Sequence, residues 1–135
     1  MTSKVTYLGD LRTSSVHLQS GNKIISDAPL DNNGKGEAFS PTDTVANALA
    51  SCMFTIMGIK ARDMEIDLSG STASVTKIMG IEPRRIIEIQ IIFDMNILPD
   101  DKTKTILERA ALTCPVFYSL HPDIKKDVTF NWKLL

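Results

Sequence analysis

Apolar and polar positions along the chain form two kinds of pattern, one in each half. The first half opens with short runs rich in Val, Thr, Tyr and Ile at 4–8 ("KVTYL"), 14–19 ("SSVHLQ") and 23–26 ("KIIS"). The last two are separated by "SGN", a turn signal, so the spacing predicts a three-stranded meander. Residues 27–40, "DAPLDNNGKGEAFS", read as a loop. Its "GKGEAF" lacks the spaced glycines and the Lys-Ser/Thr ending that a phosphate cradle requires. At Ser40 the period changes to that of a helix. Ser40 suits the N-cap and Pro41 the first helical position, where a missing amide hydrogen costs nothing; Asp43 completes an acidic version of the capping box. Between Val45 and Ile59 the non-apolar members, Asn47, Ser51, Thr55 and Gly58, lie on one narrow stripe. A solvent-facing helix would carry a wide charged face, so this one is expected to be enclosed by sheet or by a partner subunit.

The second half predicts a long hairpin, 66–79 and 86–98, around "GIEPRR". In its second strand Ile87, Ile89, Ile91, Phe93, Met95 and Ile97 should share the buried face. Ile86, Glu88, Gln90, Ile92, Asp94 and Asn96 should share the wet one. Helical spacing returns over 99–114, with Asp100 or Asp101 as cap. A short helix follows behind Cys114, with Pro115 in its first turn and Pro122 as its stop. "DVTFNWKLL", 127–135, reads as a last strand. The order βββ-α-ββ-αα-β is an α+β domain occupying 1–135 as a single unit. Long sheets around an apolar helix present more surface than one chain covers, which favours a dimer.

Composition narrows the function. With 15 Lys plus Arg against 16 Asp plus Glu, the net charge is −1, and no basic face is present for nucleic acid or an anionic membrane. No run reaches 18 apolar residues without interruption, and the N-terminus lacks the apolar core of a signal peptide. The expected location is the cytoplasm, where Cys52 and Cys114 would not be a permanent disulfide. Two Cys and two His at wide spacing make a poor metal site, and no cofactor is expected. His17 reads as a strand surface or filler residue and His121 as a structural cap. No Gly-x-Ser-x-Gly elbow marks a hydrolase.

The chemistry then rests on the cysteines. Alone, Cys52 reads as a core residue, since cysteine is among the most buried types. Cys114, at the mouth of a short helix, is the better nucleophile on local grounds, because free amides and the helix dipole favour a thiolate there. The residues by themselves suggest a dithiol pair and leave open whether the two sulfurs meet.

Two blocks, "SPTDTVANALASCM" and "LTCPVFYSL", together with the lead-in "VTYLGDLRTSS", the "SGNKIISDAP" hairpin and the closing "VTFNWKLL", resemble the OsmC/Ohr family of osmotically inducible and organic hydroperoxide resistance proteins. The resemblance runs over essentially the whole chain. It implies an intertwined homodimer with antiparallel sheets wrapped around central helices. It also implies reduction of organic hydroperoxides, with Cys52 attacking, Cys114 resolving, and a dithiol reductant, a lipoylated protein in some members, restoring the pair. This reverses the local preference for Cys114. The family's arginine corresponds to Arg12. Its partner glutamate, ten residues before the reactive cysteine, is replaced by Thr42, with Asp43 beside it, so a mobile arginine and a less favoured thiolate are expected. That departure supports an alternative, an OsmC-like protein that binds a small apolar ligand or senses oxidation with little turnover.

Overall fold

A computed structural model describes residues 1–134; Leu135, the last residue of the expected final strand, lies outside the described residues. The chain divides into two compact units, one up to Val45 and one from Ala46 onward. Among the described residues nine strands and helices follow the predicted order, with one added 3-10 turn, Leu30–Asn32, inside the expected loop.

In the first unit, β1 (Ser3–Gly9), β2 (Arg12–His17) and β3 (Lys23–Asp27) form an antiparallel sheet in sequential order. The turn between β1 and β2 places Asp10 and Leu11 at φ 53° and 62°, directly after Gly9 at 85°. Consecutive left-handed residues make the kind of tight connection that matches strand twist. Val5, Ser15 and Ile24 lie in one row across the sheet, with Tyr7, Thr13 and Ser26 in the next row on the same face. Val5, Tyr7 and Ile24 remain exposed there.

The loop after β3 is pinned to the strand end. Asp27 N–H donates to Phe39 O (3.2 Å), and Gly36 N–H donates to Ala28 O (3.2 Å). Gly34 has no room for a side chain, because a Cβ there would collide with the Ala28 carbonyl.

Helix α1 (Pro41–Asp63) starts as predicted. Ser40 N–H donates to Asp43 Oδ2 and Asp43 N–H donates to Ser40 Oγ, each at 3.0 Å, so two otherwise unpaired amides are satisfied reciprocally. Its buried stripe is Ala46, Leu49, Ala50, Met53, Met57 and Ala61. Val45 and Ile59 stay exposed, so within one chain the helix is partly buried, not enclosed. By length and composition α1 could cross a membrane, yet its Leu49, Met53 and Met57 have no exposed surface and belong to the core.

The second sheet has the order β4-β5-β6, built from β4 (Thr72–Ile81), β5 (Arg84–Met95) and β6 (Lys125–Trp132). The β4–β5 hairpin is antiparallel, whereas β6 runs parallel to β5. Parallel neighbours need a crossover, and α2 (Asp101–Ala111) and α3 (Pro115–Ser119) supply it. Ile89, Ile91, Phe93 and Met95 of β5 pack against α1 with no exposed surface. Each such side chain contributes about 1.5–3 kcal/mol of burial. Phe93 takes Phe54 edge-on (4.8 Å between centroids) and stacks on Phe130 (5.1 Å), which stacks in turn on Trp132 (6.2 Å).

One face assignment is corrected. Ile78 pairs with Glu88 but Met79 pairs with Ile86, so Ile87 is the extra residue of a bulge. Beyond it the alternation inverts: Ile86 is buried and Ile87 is exposed. Ile97, expected on the buried face, lies past the strand end and is half-buried.

Candidate functional site

Cys52 sits midway along α1, between the buried Leu49 and Met53, and is itself only partly buried. Cys114 reaches the same place from the other end of the unit. After α2 the chain closes with Thr113 N–H on Ala110 O (3.0 Å), and Cys114 becomes the N-cap of α3, with Pro115 fixing the first turn. Its Sγ accepts Phe117 N–H at 3.3 Å, doing with sulfur what a serine oxygen does at other helix starts. Cys114 is fully buried. The two thiols, far apart in sequence, come within 3.5 Å and are not bonded. A disulfide holds its sulfurs about 2.05 Å apart, so the pair is in its unbonded, reduced form.

Burial pushes the Cys114 thiol above its ordinary value, and a hydrogen bond and negative charge from Cys52 push the same way; the Phe117 and Val116 amides oppose but do not outweigh them. The local argument that made Cys114 the better nucleophile fails here. The helix-mouth amides are present as expected, but the cost of a charge in an apolar enclosure is larger. Burial therefore makes the Cys114 thiolate harder to form than that of a free cysteine.

The predicted polar residues find partners within the first unit. Arg12, at the start of β2, places Nη1 3.1 Å from Glu37 Oε2. The expectation that Thr42 leaves the arginine without a carboxylate is therefore corrected: the loop supplies Glu37. Asp43 is engaged at the α1 cap through the reciprocal bonds described above. Glu37 lies in "GKGEAF", which by its own pattern is only a failed phosphate cradle. Its signal in the sequence is an acidic residue in the loop that follows the strands carrying Arg12 and Asp27. The structure thus brings Cys52 to Cys114 and Arg12 to Glu37.

His17 Nδ1 pairs with Ser20 Oγ at 2.7 Å, and His121 Nδ1 accepts Asp123 N–H at 3.1 Å, both in turns. Among the described residues no group of three His, Cys, Asp or Glu is arranged to hold a metal. A groove of about 390 Å³ opens between α1 and α2, lined by Ile56, Ile59, Ile106 and Ala110 with Lys60 and Arg109 among its charged residues. Ile56 lies one helical turn beyond Cys52 and Ala110 four residues before Cys114, and neither cysteine lines the groove.

The family model for OsmC-like protein matches residues 34–129. No curated protein matches the chain. Among solved structures, a candidate osmotic stress induced and detoxification response protein from Psychrobacter arcticus 273-4 is 62% identical. That match covers 97% of this chain and 96% of that one, at a TM-score of 0.94. An organic hydroperoxide resistance protein OsmC from Legionella pneumophila shares the fold at 16% identity, 97% coverage of each chain and a TM-score of 0.71. One from Elizabethkingia anophelis does so at 13% identity, with 98% of this chain and 97% of that one covered, at 0.75. The matched segment contains both cysteine blocks and most of the packed core that brings them together, and on that ground the chain belongs to the OsmC/Ohr family of OsmC-like proteins.

Proposed function

We propose that this protein is a thiol-dependent peroxidase that reduces organic hydroperoxides through a dithiol–disulfide cycle of Cys52 and Cys114. The observation that carries the reading is the unbonded approach of the two thiols to 3.5 Å. Cys52, the more accessible of the two, attacks as thiolate on the terminal peroxide oxygen. The O–O bond breaks, the alkoxide leaves and takes a proton to become an alcohol, and Cys52 is oxidised to a sulfenic acid. The Cys114 sulfur then attacks the Cys52 sulfur; its proton and the hydroxyl depart as water, and a disulfide forms. An external dithiol reduces that disulfide by exchange, and a lipoylated protein is one such donor. A resolving thiol raised by burial fits the order of events, because Cys114 attacks only after Cys52 has been oxidised. Arg12 is the cation that favours the Cys52 thiolate and the developing charge on the peroxide, with Glu37 as its partner. Asp43 serves by starting the helix that carries Cys52.

A homodimer completes this reading. The exposed face that carries Val5, Tyr7 and Ile24 supports it, as does the exposed part of α1, since exposed apolar patches mark association surfaces.

One observation favours the second reading, that of an OsmC-like protein binding a small apolar ligand. The α1–α2 groove could hold the hydrocarbon part of a ligand with no peroxide present. Equimolar cumene hydroperoxide separates the two. A peroxidase consumes it with loss of two thiols per chain and formation of a Cys52–Cys114 disulfide. Cys114→Ser should stop at a Cys52 adduct heavier by about 16 Da, one oxygen. Unchanged thiols after that addition would refute the peroxidase reading.

A further inference from the structure

Asp27 is fully buried, yet its carboxylate has only one acceptor atom in use. Oδ2 accepts the backbone N–H of Glu37 at 3.0 Å, and Oδ1 is buried without a partner. Leaving a carboxylate oxygen dry and unpaired is costly, and such groups in native structures call for an explanation. The surroundings supply one. Asp27 is the direct cross-strand partner of Arg12, and Glu37, whose backbone it holds, is the residue whose carboxylate pairs with Arg12. Three acidic or basic groups are thus tied together: Asp27 to the Glu37 backbone, and the Glu37 side chain to Arg12.

We infer that Asp27 is a positioning residue for the Arg12–Glu37 pair, fixing the loop that delivers Glu37. The inference rests on the role proposed above for Arg12. An exposed Arg–Glu pair holds poorly by itself, because both long side chains must be ordered and solvent screens the attraction. Glu37 is more than half exposed in this pair. A fixed backbone under it removes much of that ordering cost, and the loop is built to stay fixed. Asp27 grips it twice, through its own N–H on Phe39 O and through Oδ2 on Glu37 N–H. Gly36 adds a bond to Ala28 O, and Gly34 permits the close approach between. Asp27 touches no reacting atom in this account; it acts through Glu37 and Arg12.

The test is a double-mutant cycle on the full chain. It reads two quantities: the kcat/KM for cumene hydroperoxide, and the Cys52 alkylation rate at pH 7 relative to pH 10, mapped by peptide mass. Glu37→Gln and Asp27→Ala are each expected to lower both by about tenfold, and the double variant to fall no further than the worse single, since both act through one group. Asp27→Asn keeps an oxygen for the Glu37 amide and should stay within about threefold of the parent chain. Where Asp27→Ala does not fold, Asp27→Ser takes its place, because its hydroxyl is too short to reach that amide. Multiplying losses in the double variant, or an unchanged alkylation ratio in Asp27→Ala or Asp27→Ser, would overturn the inference alone if Arg12→Gln lowers the ratio. An unchanged ratio in Arg12→Gln overturns it together with the role assigned to Arg12.

Discussion

The unit from Ala46 onward and the first 45 residues meet the demand for burial in opposite ways. In the later unit α1 and β5 interleave side chains that have no exposed surface, and Phe93 lies between two other rings. In the first unit every residue of β1 but Gly9 is exposed, and the order comes from ladders, a pinned loop and a single buried carboxylate. The comparison teaches where each kind of chemistry can be held. Two thiols are kept within 3.5 Å by packing, which places atoms without directional bonds. A guanidinium and a carboxylate are kept together by backbone hydrogen bonds, which place polar groups without needing a core.

The sharpest break in that comparison is chemical. Cys52→Ser should lower peroxide turnover by about a thousandfold or more, with a circular dichroism spectrum and melting curve like those of the parent chain; a retained rate would remove Cys52 from the attacking role. Next in size is a packing change. Phe93→Ala should destabilise the reduced protein by about 3–5 kcal/mol in urea unfolding, through lost burial and an unfilled cavity.

A smaller effect depends on pH. Because the folded protein holds the Cys114 thiol above its ordinary value of 9.0, the unfolded chain releases that proton first as pH rises. Stability from this group is complete below that value and is lost as pH climbs through the raised one. Urea midpoints of the reduced protein should therefore fall above about pH 9, and Cys114→Ser should flatten that fall. The smallest effect is expected at Tyr7. In the isolated chain Tyr7→Ser should change stability by no more than about 0.5 kcal/mol, as for other exposed positions. If a second copy covers that face, the same change should weaken the dimer in sedimentation, and a dimer of unchanged strength would exclude Tyr7 from the interface.

Much of this was legible along the chain. Ser40, Pro41 and Asp43 announce the start of α1, and Asp100 caps α2 by accepting Thr103 N–H at 2.8 Å, because caps are local chemistry within four residues. Cys114 and Pro115 likewise announce α3. The inverted face at Ile86 and Ile87 was hidden, since a bulge is decided by how the partner strand pairs and not by the strand's own alternation. Glu37 was hidden for a similar reason: a loop residue acquires a role only when the strand ahead of it and the loop itself are folded.

Apolar periods, caps and turn residues sufficed to determine the order of elements and the family motifs, since each depends on forces acting over a few neighbouring residues. Tertiary structure alone decided which distant groups meet: Cys52 with Cys114, and Arg12 and Asp27 with Glu37. It also decided that the Cys114 thiolate is harder to form than that of a free cysteine, because the cost of burying a charge depends on everything that surrounds it and not on the residues beside it in the chain.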